Sequence, residues 1–182
     1  MKMMRRLFVR FSRDSSGSVT VEAVLVLPLL LWAYMATFVF YDAFKTRRMN
    51  QSAAYTISDM ITRQTNTINI AYIEGLNIVY DYLSQTDRPT SIRVTSVFWD
   101  AAGSVYRVQW SYATGGKPIM VDANLVALQP KLPLIPVGDT LILMETNLDY
   151  TPAFDVGLVA HTFTEFIATR PRFVAQVPFS NT

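Results

Sequence analysis

The feature that most constrains this chain is a run of 19 residues without a charge, Ala23–Tyr41, close to its N-terminus. All but Pro28 and Thr37 in this run are hydrophobic. A helix of about 20 apolar residues crosses the roughly 30 Å hydrocarbon layer of a membrane. The run is also longer than the roughly 7–15-residue apolar core of a cleaved secretory signal. It therefore predicts a transmembrane helix. A buried core helix is the alternative, but nothing else in the chain is large enough to enclose it.

The overall composition excludes several other classes of protein. Hydrophobic residues make up 51% of the 182 residues and charged residues 16%, whereas an ordinary soluble domain has about 25% charged residues. The absence of cysteine excludes a disulfide scaffold and a cysteine-based zinc site. The net charge of +2 is too small to predict nucleic-acid binding by bulk charge, so no nucleic-acid partner is expected.

The basic residues on either side of the run predict its orientation. Residues 1–17 hold five basic residues and one acidic residue, for a net charge of +4: Lys2, Arg5, Arg6, Arg10 and Arg13 against Asp14. The opposite flank carries three basic residues, Lys45, Arg47 and Arg48. Because Lys and Arg stay on the cytoplasmic side, the leader is expected in the cytoplasm and the chain after about residue 42 outside it. In a bacterium this places the exported part in the periplasm or beyond.

The junction between leader and span reads Asp14-Ser15-Ser16-Gly17-Ser18-Val19-Thr20-Val21-Glu22. Gly17 has no side chain, which opens the backbone to a protease and frees the local dihedral angles. A carboxylate at the edge of hydrocarbon, such as that of Glu22, is costly without a partner. Cleavage after Gly17 would create that partner, since the new amino group of Ser18 would lie one helical turn away. The alternative is that Glu22 rests among lipid headgroups without a role.

Pro28 lies inside the span. A proline within a helix removes one backbone hydrogen bond and favours a kink. The kink is either harmless, since membrane helices tolerate such breaks, or a flexible point that helps the helix leave the bilayer and pack in an assembly.

The rest of the chain predicts helices followed by strands. Apolar residues at helical spacing extend the first helix to Arg63, and Gln64–Asn69 is a polar break. A second helix is predicted from Tyr72 to Leu83, ended by Asp87-Arg88-Pro89. A short helix is expected at about 121–128. The order indicates an α+β fold with the apolar stripe of the first helix against one face of an antiparallel sheet of about four strands.

The strands are predicted from alternation of apolar and polar residues. They are Ile92–Trp99; a strand with Tyr106, Val108, Trp110 and Tyr112 on one face; Thr140–Tyr150; and a fourth made of Phe163–Thr169 and Phe173–Val177, interrupted at Arg170-Pro171-Arg172. The first two are joined by a turn in which Gly103 is available for a positive φ. The domains expected are therefore a leader at 1–17, an N-terminal helix at 18–63 spanning the membrane at about 23–41, and an exported α+β domain at 64–182.

Three groups outside the junction could carry chemistry. His161 and Glu165 lie four residues apart and are more typical of a surface pair than of a catalytic or metal site. The aromatic residues are expected in core packing and cross-strand pairs, with a sugar-binding surface as the alternative; they are Trp99, Tyr106, Trp110, Tyr112 and Tyr150. Arg170 and Arg172 either contact a partner's carboxylates or form a solvated edge. With no nucleophile elbow, phosphate loop or metal-ligand cluster in the sequence, no enzyme activity, cofactor or metal is expected.

The junction resembles the prepilin-peptidase site of type IV pilin-like proteins. The segment Arg10–Glu22 with Leu27-Pro28-Leu29 is similar to the TadE/TadG-like family of tight-adherence pilus assembly proteins. Short segments of the exported part also resemble that family; they are Ser96–Asp100, Gln109–Tyr112, Pro136–Asp139, Asp149–Pro152 and Arg170–Phe173. The resemblance implies a pilin-like fold and cleavage after Gly17, which makes Ser18 the first mature residue and Glu22 the fifth.

The resemblance further implies a minor pilin or pseudopilin of a tight-adherence pilus, held in the inner membrane with its C-terminal domain in the periplasm or carried into the filament. Its implied partners are a prepilin peptidase, a major Flp-type pilin, other minor pilins, the inner-membrane assembly platform and membrane lipid. Glu22 would pair with the N-terminal amine of a neighbouring subunit or with its own. The alternatives are a signal-anchored binding module that is never cleaved and an anchored periplasmic enzyme that uses His161. N-methylation of Ser18 and a TadE-type or TadF-type role stay open.

Overall fold

The structure, a computed structural model, describes residues 18–181. The chain divides into two compact units. The first comprises the chain up to Asp42 together with Pro152–Leu158, and the second comprises Ala43–Thr151 and Val159–Thr182. Helix α1, Ser18–Thr62, contributes residues to both units.

The helix α1 confirms the long N-terminal helix expected from the sequence and ends one residue before the predicted Arg63. The helical assignment continues across Pro28. Thr37, the hydroxyl-bearing residue of the uncharged run, donates its Oγ1 hydrogen to the carbonyl of Ala33 at 2.8 Å. Its polar group is therefore satisfied within the helix, as an apolar surrounding requires.

The first unit has a small core of its own. Ala36 and Val39 of α1 are buried together with Val156. The ring of Phe38 meets that of Phe154 edge to face at a centroid distance of 6.3 Å. Apolar contacts between the helix and a short loop therefore hold this unit together.

The second unit contains the remaining helices and strands of the described chain. In order they are β1 (Ile68–Asn69), α2 (Ile70–Ser84), β2 (Thr90–Asp100), β3 (Val105–Ala113), α3 (Asp122–Leu128), a 3-10 turn (Gln129–Lys131), β4 (Thr140–Tyr150), β5 (His161–Thr169) and β6 (Phe179–Ser180). The helix α2 begins after Asn69, whose side chain accepts the Tyr72 N–H at 3.0 Å, and ends at Gln85 in the left-handed conformation. The second helix and the short helix near 121–128 are thus confirmed.

The sheet is antiparallel with strand order β3-β2-β4-β5, which confirms the four-stranded α+β arrangement. Its central strand β4 is buried on both faces. Ile142 and Met144 face α1 and α2, in a core that includes Ile57 and Ile61 of α1. Leu141 and Leu143 face the opposite side, where the segment from Met120 to Ile135 covers the sheet. The sequence analysis predicted the cover by the first helix; it also predicted the short helix near 121–128, but did not assign that helix to a face of the sheet.

The prediction that Tyr106, Val108, Trp110 and Tyr112 share one face is wrong. Ser96 pairs with Trp110 but Val97 pairs with Val108, so Gln109 is an extra residue in β3. A bulge of this kind shifts the register by one and turns the side chains beyond it to the other face. Trp110 and Tyr112 accordingly pack with the α1 side of the core, whereas Tyr106 and Val108 pack on the opposite side.

The second half of the predicted fourth strand is also wrong. β5 ends at Thr169, and residues 173–177 are not a strand. The Arg172 N–H donates to the carbonyl of Thr62 at 2.8 Å, at the end of α1. The chain is thereby turned away from the sheet, and Phe179–Ser180 instead pairs in parallel with Ile68–Asn69.

The β2–β3 turn differs from expectation in one dihedral angle. The positive φ falls on Ser104, at 50°, and not on Gly103. Gly103 is needed for space instead, since a Cβ there would lie 3.2 Å from Cγ2 of Val105 and 3.3 Å from Oδ2 of Asp100. The predicted connection of the hairpin is correct, but its left-handed residue is Ser104 and not Gly103.

Candidate functional site

The predicted processing junction lies at the border of the described chain. Gly17 lies outside the described residues, and Ser18 is the first residue of α1. Glu22 follows one turn later on the same helix and is exposed. It is the sole charged residue between Asp14 and Asp42 in the sequence. Within residues 18–181 no basic side chain forms an ion pair with it.

The helix around Glu22 presents an apolar surface. Every residue from Val19 to Tyr34 is exposed. The large apolar side chains among them are Val19, Val21, Val24, Leu25, Val26, Leu27, Leu29, Leu30, Leu31, Trp32 and Tyr34. Such a surface is unfavourable in water, because burial of apolar area is the main driving force of folding and association.

This helix is long and apolar enough to cross a membrane. Only 11% of its most apolar 18-residue segment is buried, which separates it from the core helix of a soluble protein. The chain therefore has one long apolar N-terminal helix, within the described residues, that is compatible with a membrane anchor or a signal sequence. Pro28 lies within this exposed segment.

His161 and Glu165 do lie on one face, as residues four apart on strand β5. At about 3.3 Å per residue their Cα atoms are roughly 13 Å apart, too far for direct contact within one chain. The His161 ring instead lies 5.5 Å from the ring of Tyr150 and 4.5 Å from that of Phe163. Among residues 18–181 there is no group of three or more His, Cys, Asp or Glu side chains able to hold a metal ion.

The five aromatic residues do not form one surface. Trp99 and Tyr106 are register partners and meet edge to face at 5.1 Å. Trp110 stacks on Phe179 at 4.9 Å and donates its Nε1 hydrogen to the carbonyl of Val177 at 2.9 Å. Tyr150 is buried. Cross-strand pairing and core packing therefore account for these rings, as the first of the two alternatives expected.

Arg170 and Arg172 line a cavity of about 460 Å³ beside the end of α1. Arg172 forms an ion pair with Asp59 at 2.5 Å, and Arg170 pairs with Asp139. Asp59 is shared with Arg63 at 2.7 Å. The structure thus gives both arginines carboxylate partners within the chain, although their side chains are more than half exposed.

The sequence reasoning missed a buried polar cluster centred on Asn50. Its Oδ1 accepts hydrogen bonds from Tyr80 Oη and from Thr146 Oγ1, the latter at 3.4 Å. All three residues are fully buried. Burial raises the pKa of Tyr80 to about 12. The sequence pattern could have indicated this cluster. Asn50 lies three and four residues before Ala53 and Ala54, which places a polar residue on the buried stripe of α1.

No family model, no curated protein and no solved structure matches the chain.

Proposed function

We propose that the chain is a minor pilin or pseudopilin of a tight-adherence type IV pilus system, cut after Gly17 by a prepilin peptidase. One observation carries the proposal. Glu22 is a lone carboxylate on a long, exposed apolar helix, one turn after Ser18. A charge in that position is costly in a membrane unless it is paired. Cleavage before Ser18 creates an α-ammonium group, so the cation that pairs with Glu22 requires no further residue.

The chemistry of processing is peptide-bond hydrolysis. Water adds to the carbonyl carbon of Gly17, the bond to the nitrogen of Ser18 breaks, and the products are a carboxylate on Gly17 and an ammonium group on Ser18. The absence of a side chain at Gly17 leaves room for the peptidase at the scissile bond. The new ammonium group then pairs with Glu22 of a neighbouring subunit or with Glu22 of the same helix, and the pairing sets the register of packed helices.

The implied location follows from the same residues. The basic leader stays in the cytoplasm, the span Ala23–Tyr41 crosses the inner membrane, and the α+β unit faces the periplasm and later the pilus. The exposed apolar side chains of α1 contact lipid first and other pilin helices after assembly. The major Flp-type pilin, other minor pilins and the inner-membrane assembly platform are the partners of this pathway.

The N-terminus of the membrane form tests the proposal. Mass spectrometry is expected to find a chain that begins at Ser18, and Gly17→Leu is expected to leave most of the chain uncut because the leucine side chain blocks the scissile bond. Ser15→Ala is the matched control, since it changes the leader without touching that bond. An intact leader in the wild-type chain would reject processing and favour the uncleaved, signal-anchored binding module.

A substitution at Glu22 separates processing from assembly. Glu22→Gln keeps the size of the side chain but removes its charge, so cleavage is expected to continue while pilus output falls at least about tenfold through the lost ion pair. Thr20→Ala, on the same exposed helix, serves as the control and should leave output unchanged. Normal pilus output from the Glu22→Gln chain would remove the docking role of this residue.

A further inference from the structure

A short loop lies against the last part of the apolar run. The loop Pro152–Leu158 belongs to the connection between β4 and β5, and it falls in the same compact unit as the first part of α1. Its Val156 packs with Val39 of α1, and the ring of Phe154 meets that of Phe38. Both helix residues fall inside the uncharged run that the sequence predicts to cross the membrane. The loop therefore lies beside the predicted span and not beyond its end.

The backbone of this loop is unsuited to hydrocarbon. It forms neither helix nor strand, and none of the backbone hydrogen bonds found outside helices and strands in the described chain involves it. Irregular backbone exposed to lipid does not occur within the hydrocarbon layer, because its N–H and C=O groups have no partner there. Asp155 in the loop is also exposed, and it forms no ion pair with any residue that the structure describes. Water or lipid headgroups must therefore surround the loop backbone.

The aromatic residues of α1 indicate the same level in the membrane. Trp32, Tyr34 and Tyr41 are exposed, and they bracket the helix residues that contact the loop. Trp and Tyr are enriched where hydrocarbon meets water, since their rings are apolar and their N–H or O–H groups are polar. The helix thus carries interfacial side chains at the depth where the loop packs against it.

The loop also presents an apolar side chain of its own. Phe154 is 46% exposed and Phe38 is 52% exposed, although their rings are in contact. The two rings continue the exposed apolar surface of α1 at its outer end. A half-exposed ring on an irregular polar backbone fits the boundary between headgroups and acyl chains, because the ring enters the apolar layer while the backbone stays hydrated.

We propose that the loop Pro152–Leu158 is a second membrane contact. It lies among the phospholipid headgroups of the periplasmic leaflet and places the ring of Phe154 at their boundary with the acyl chains. The hydrocarbon segment of α1 then ends near Tyr34, and the rest of the uncharged run lies at the level of the headgroups. This contact rests on the proposed function for the location and orientation of α1 in a membrane, but it requires neither cleavage after Gly17 nor a pilus.

The loop shortens the segment of α1 that lies in hydrocarbon. From Ser18 to Tyr34 there are 17 residues, which rise about 26 Å in a helix and thus match the short end of membrane-spanning helices. This segment includes Glu22. A carboxylate within hydrocarbon is more costly than one at its edge, so the loop increases the need of Glu22 for a cationic partner.

Depth-dependent fluorescence quenching tests the position of the loop. The chain has no native cysteine, so one introduced thiol carries one fluorophore in the full-length protein, reconstituted in phosphatidylcholine vesicles with a large excess of lipid. A label on Ala153→Cys is expected to be quenched at least about twofold more by nitroxide lipids spin-labelled near the headgroup than by those labelled deep in the acyl chain. Leu27→Cys, in the span, should show the opposite order, and Tyr82→Cys, at an exposed position of α2, should be quenched by neither.

Three outcomes would overturn the proposal. Quenching at position 153 no stronger than at position 82 would leave the loop in water. Strongest quenching by the deep nitroxide would place it in hydrocarbon. A label that is shielded from water but quenched by neither lipid would assign the patch to a second copy of the chain.

Substitution of Phe154 separates contact with lipid from packing on the helix. In the labelled Ala153→Cys chain, Phe154→Ser should lower the shallow quenching at least about twofold, because the apolar anchor is lost. Phe154→Leu keeps an apolar side chain without a ring and should retain the quenching. An unchanged signal in the Phe154→Ser chain, or an equal loss in both, would reject the ring as a lipid contact. The N-terminus of each sample is read by mass spectrometry, so a chain that keeps its leader but shows shallow quenching would reject processing alone.

Discussion

At the scale of single residues, Asn50 joins three elements of the fold. It lies on α1, and its side-chain oxygen accepts hydrogen bonds from Tyr80 on α2 and from Thr146 on β4. A buried amide oxygen without donors costs about 1–3 kcal/mol, so the two hydroxyls stabilise this one arrangement of helices on the sheet. An apolar residue at position 50 would remove the acceptor of the two buried hydroxyls.

The buried hydroxyl of Tyr80 predicts a pH dependence of stability. Its pKa rises from 10.0 to about 12 in the folded chain because burial disfavours the phenolate. The stabilisation is fully present below pH 10 and is lost as the pH rises through 12, since the unfolded chain releases the proton first. The free energy of unfolding should fall by about 2–3 kcal/mol over this range, as measured by denaturant unfolding in detergent.

The matched variants for this measurement lie on the same helix. Tyr80→Phe should reduce the pH dependence between 10 and 12, with a remainder from Tyr72, Tyr106 and Tyr112, whose pKa values are also raised. It should cost about 1 kcal/mol at neutral pH through the lost hydrogen bond. Tyr82→Phe, at a position 82% exposed, should behave like the wild-type chain. If the free energy of unfolding of the Tyr80→Phe chain falls with pH as steeply as that of the wild-type chain, other groups cause the pH dependence.

At the scale of elements, local hydrogen bonds determine the turn of the β2–β3 hairpin, and strand pairing determines the faces of its side chains. Asp100 Oδ1 accepts the Ala102 N–H at 3.1 Å. Its other oxygen pairs with Nε of Arg107 at 2.6 Å, and this hydrogen bond lowers the pKa of Asp100. These contacts shape the turn so that the left-handed residue is Ser104. Beyond the turn, the bulge at Gln109 then directs the aromatic residues of β3 to two different faces.

The turn predicts opposite effects of two adjacent substitutions. Ser104→Gly should raise the free energy of unfolding by about 0.5–1 kcal/mol, because glycine adopts a positive φ without a steric penalty. Gly103→Ala should lower it, since the new Cβ would crowd Val105 and Asp100. Thermal unfolding of the purified chains measures both changes. A loss of stability in the Ser104→Gly chain would show that the serine side chain, and not its backbone strain, decides this position.

At the scale of the whole molecule, the charge of the chain belongs mainly to its leader. The full chain has 16 basic and 14 acidic residues. Residues 1–17 hold five of the basic and one of the acidic residues, so the proposed mature chain has 11 basic and 13 acidic residues, a net charge of −2. Under the proposed topology, the basic character of the full chain therefore concerns its orientation in the membrane and does not indicate a nucleic-acid partner.

Reporter fusions test the proposed orientation. Alkaline phosphatase, which folds only outside the cytoplasm, should be active when fused after Thr182 and inactive when the same fusion lacks the span Ala23–Tyr41. The positive-inside rule gives the physical reason, since the leader carries the larger basic excess. Inactivity of the complete fusion in an intact chain would reverse the topology.

Much of the fold follows from local pattern. The uncharged run and the apolar residues at helical spacing after it predict the long helix α1, which ends within one residue of the expected position. The apolar pattern of residues 140–150 predicts the bounds of β4. Helix and strand periods are properties of neighbouring residues, so the sequence is sufficient for them. The junction at Gly17, Ser18 and Glu22 is likewise a sequence pattern, and its processing remains a prediction.

What only the tertiary structure decided depends on residues far apart in the chain. The bulge at Gln109 depends on how β3 meets β2, and the turn after Thr169 depends on a hydrogen bond from Arg172 to the end of α1. The position of β5 at the edge of the sheet is visible only once the strand order is known. Local sequence thus determined the long apolar N-terminal helix and most of the other elements. Pairing between distant segments determined which face of the sheet each side chain occupies and which strands lie at its edges. The energy of these contacts depends on the register of strand pairing, and no short segment specifies that register.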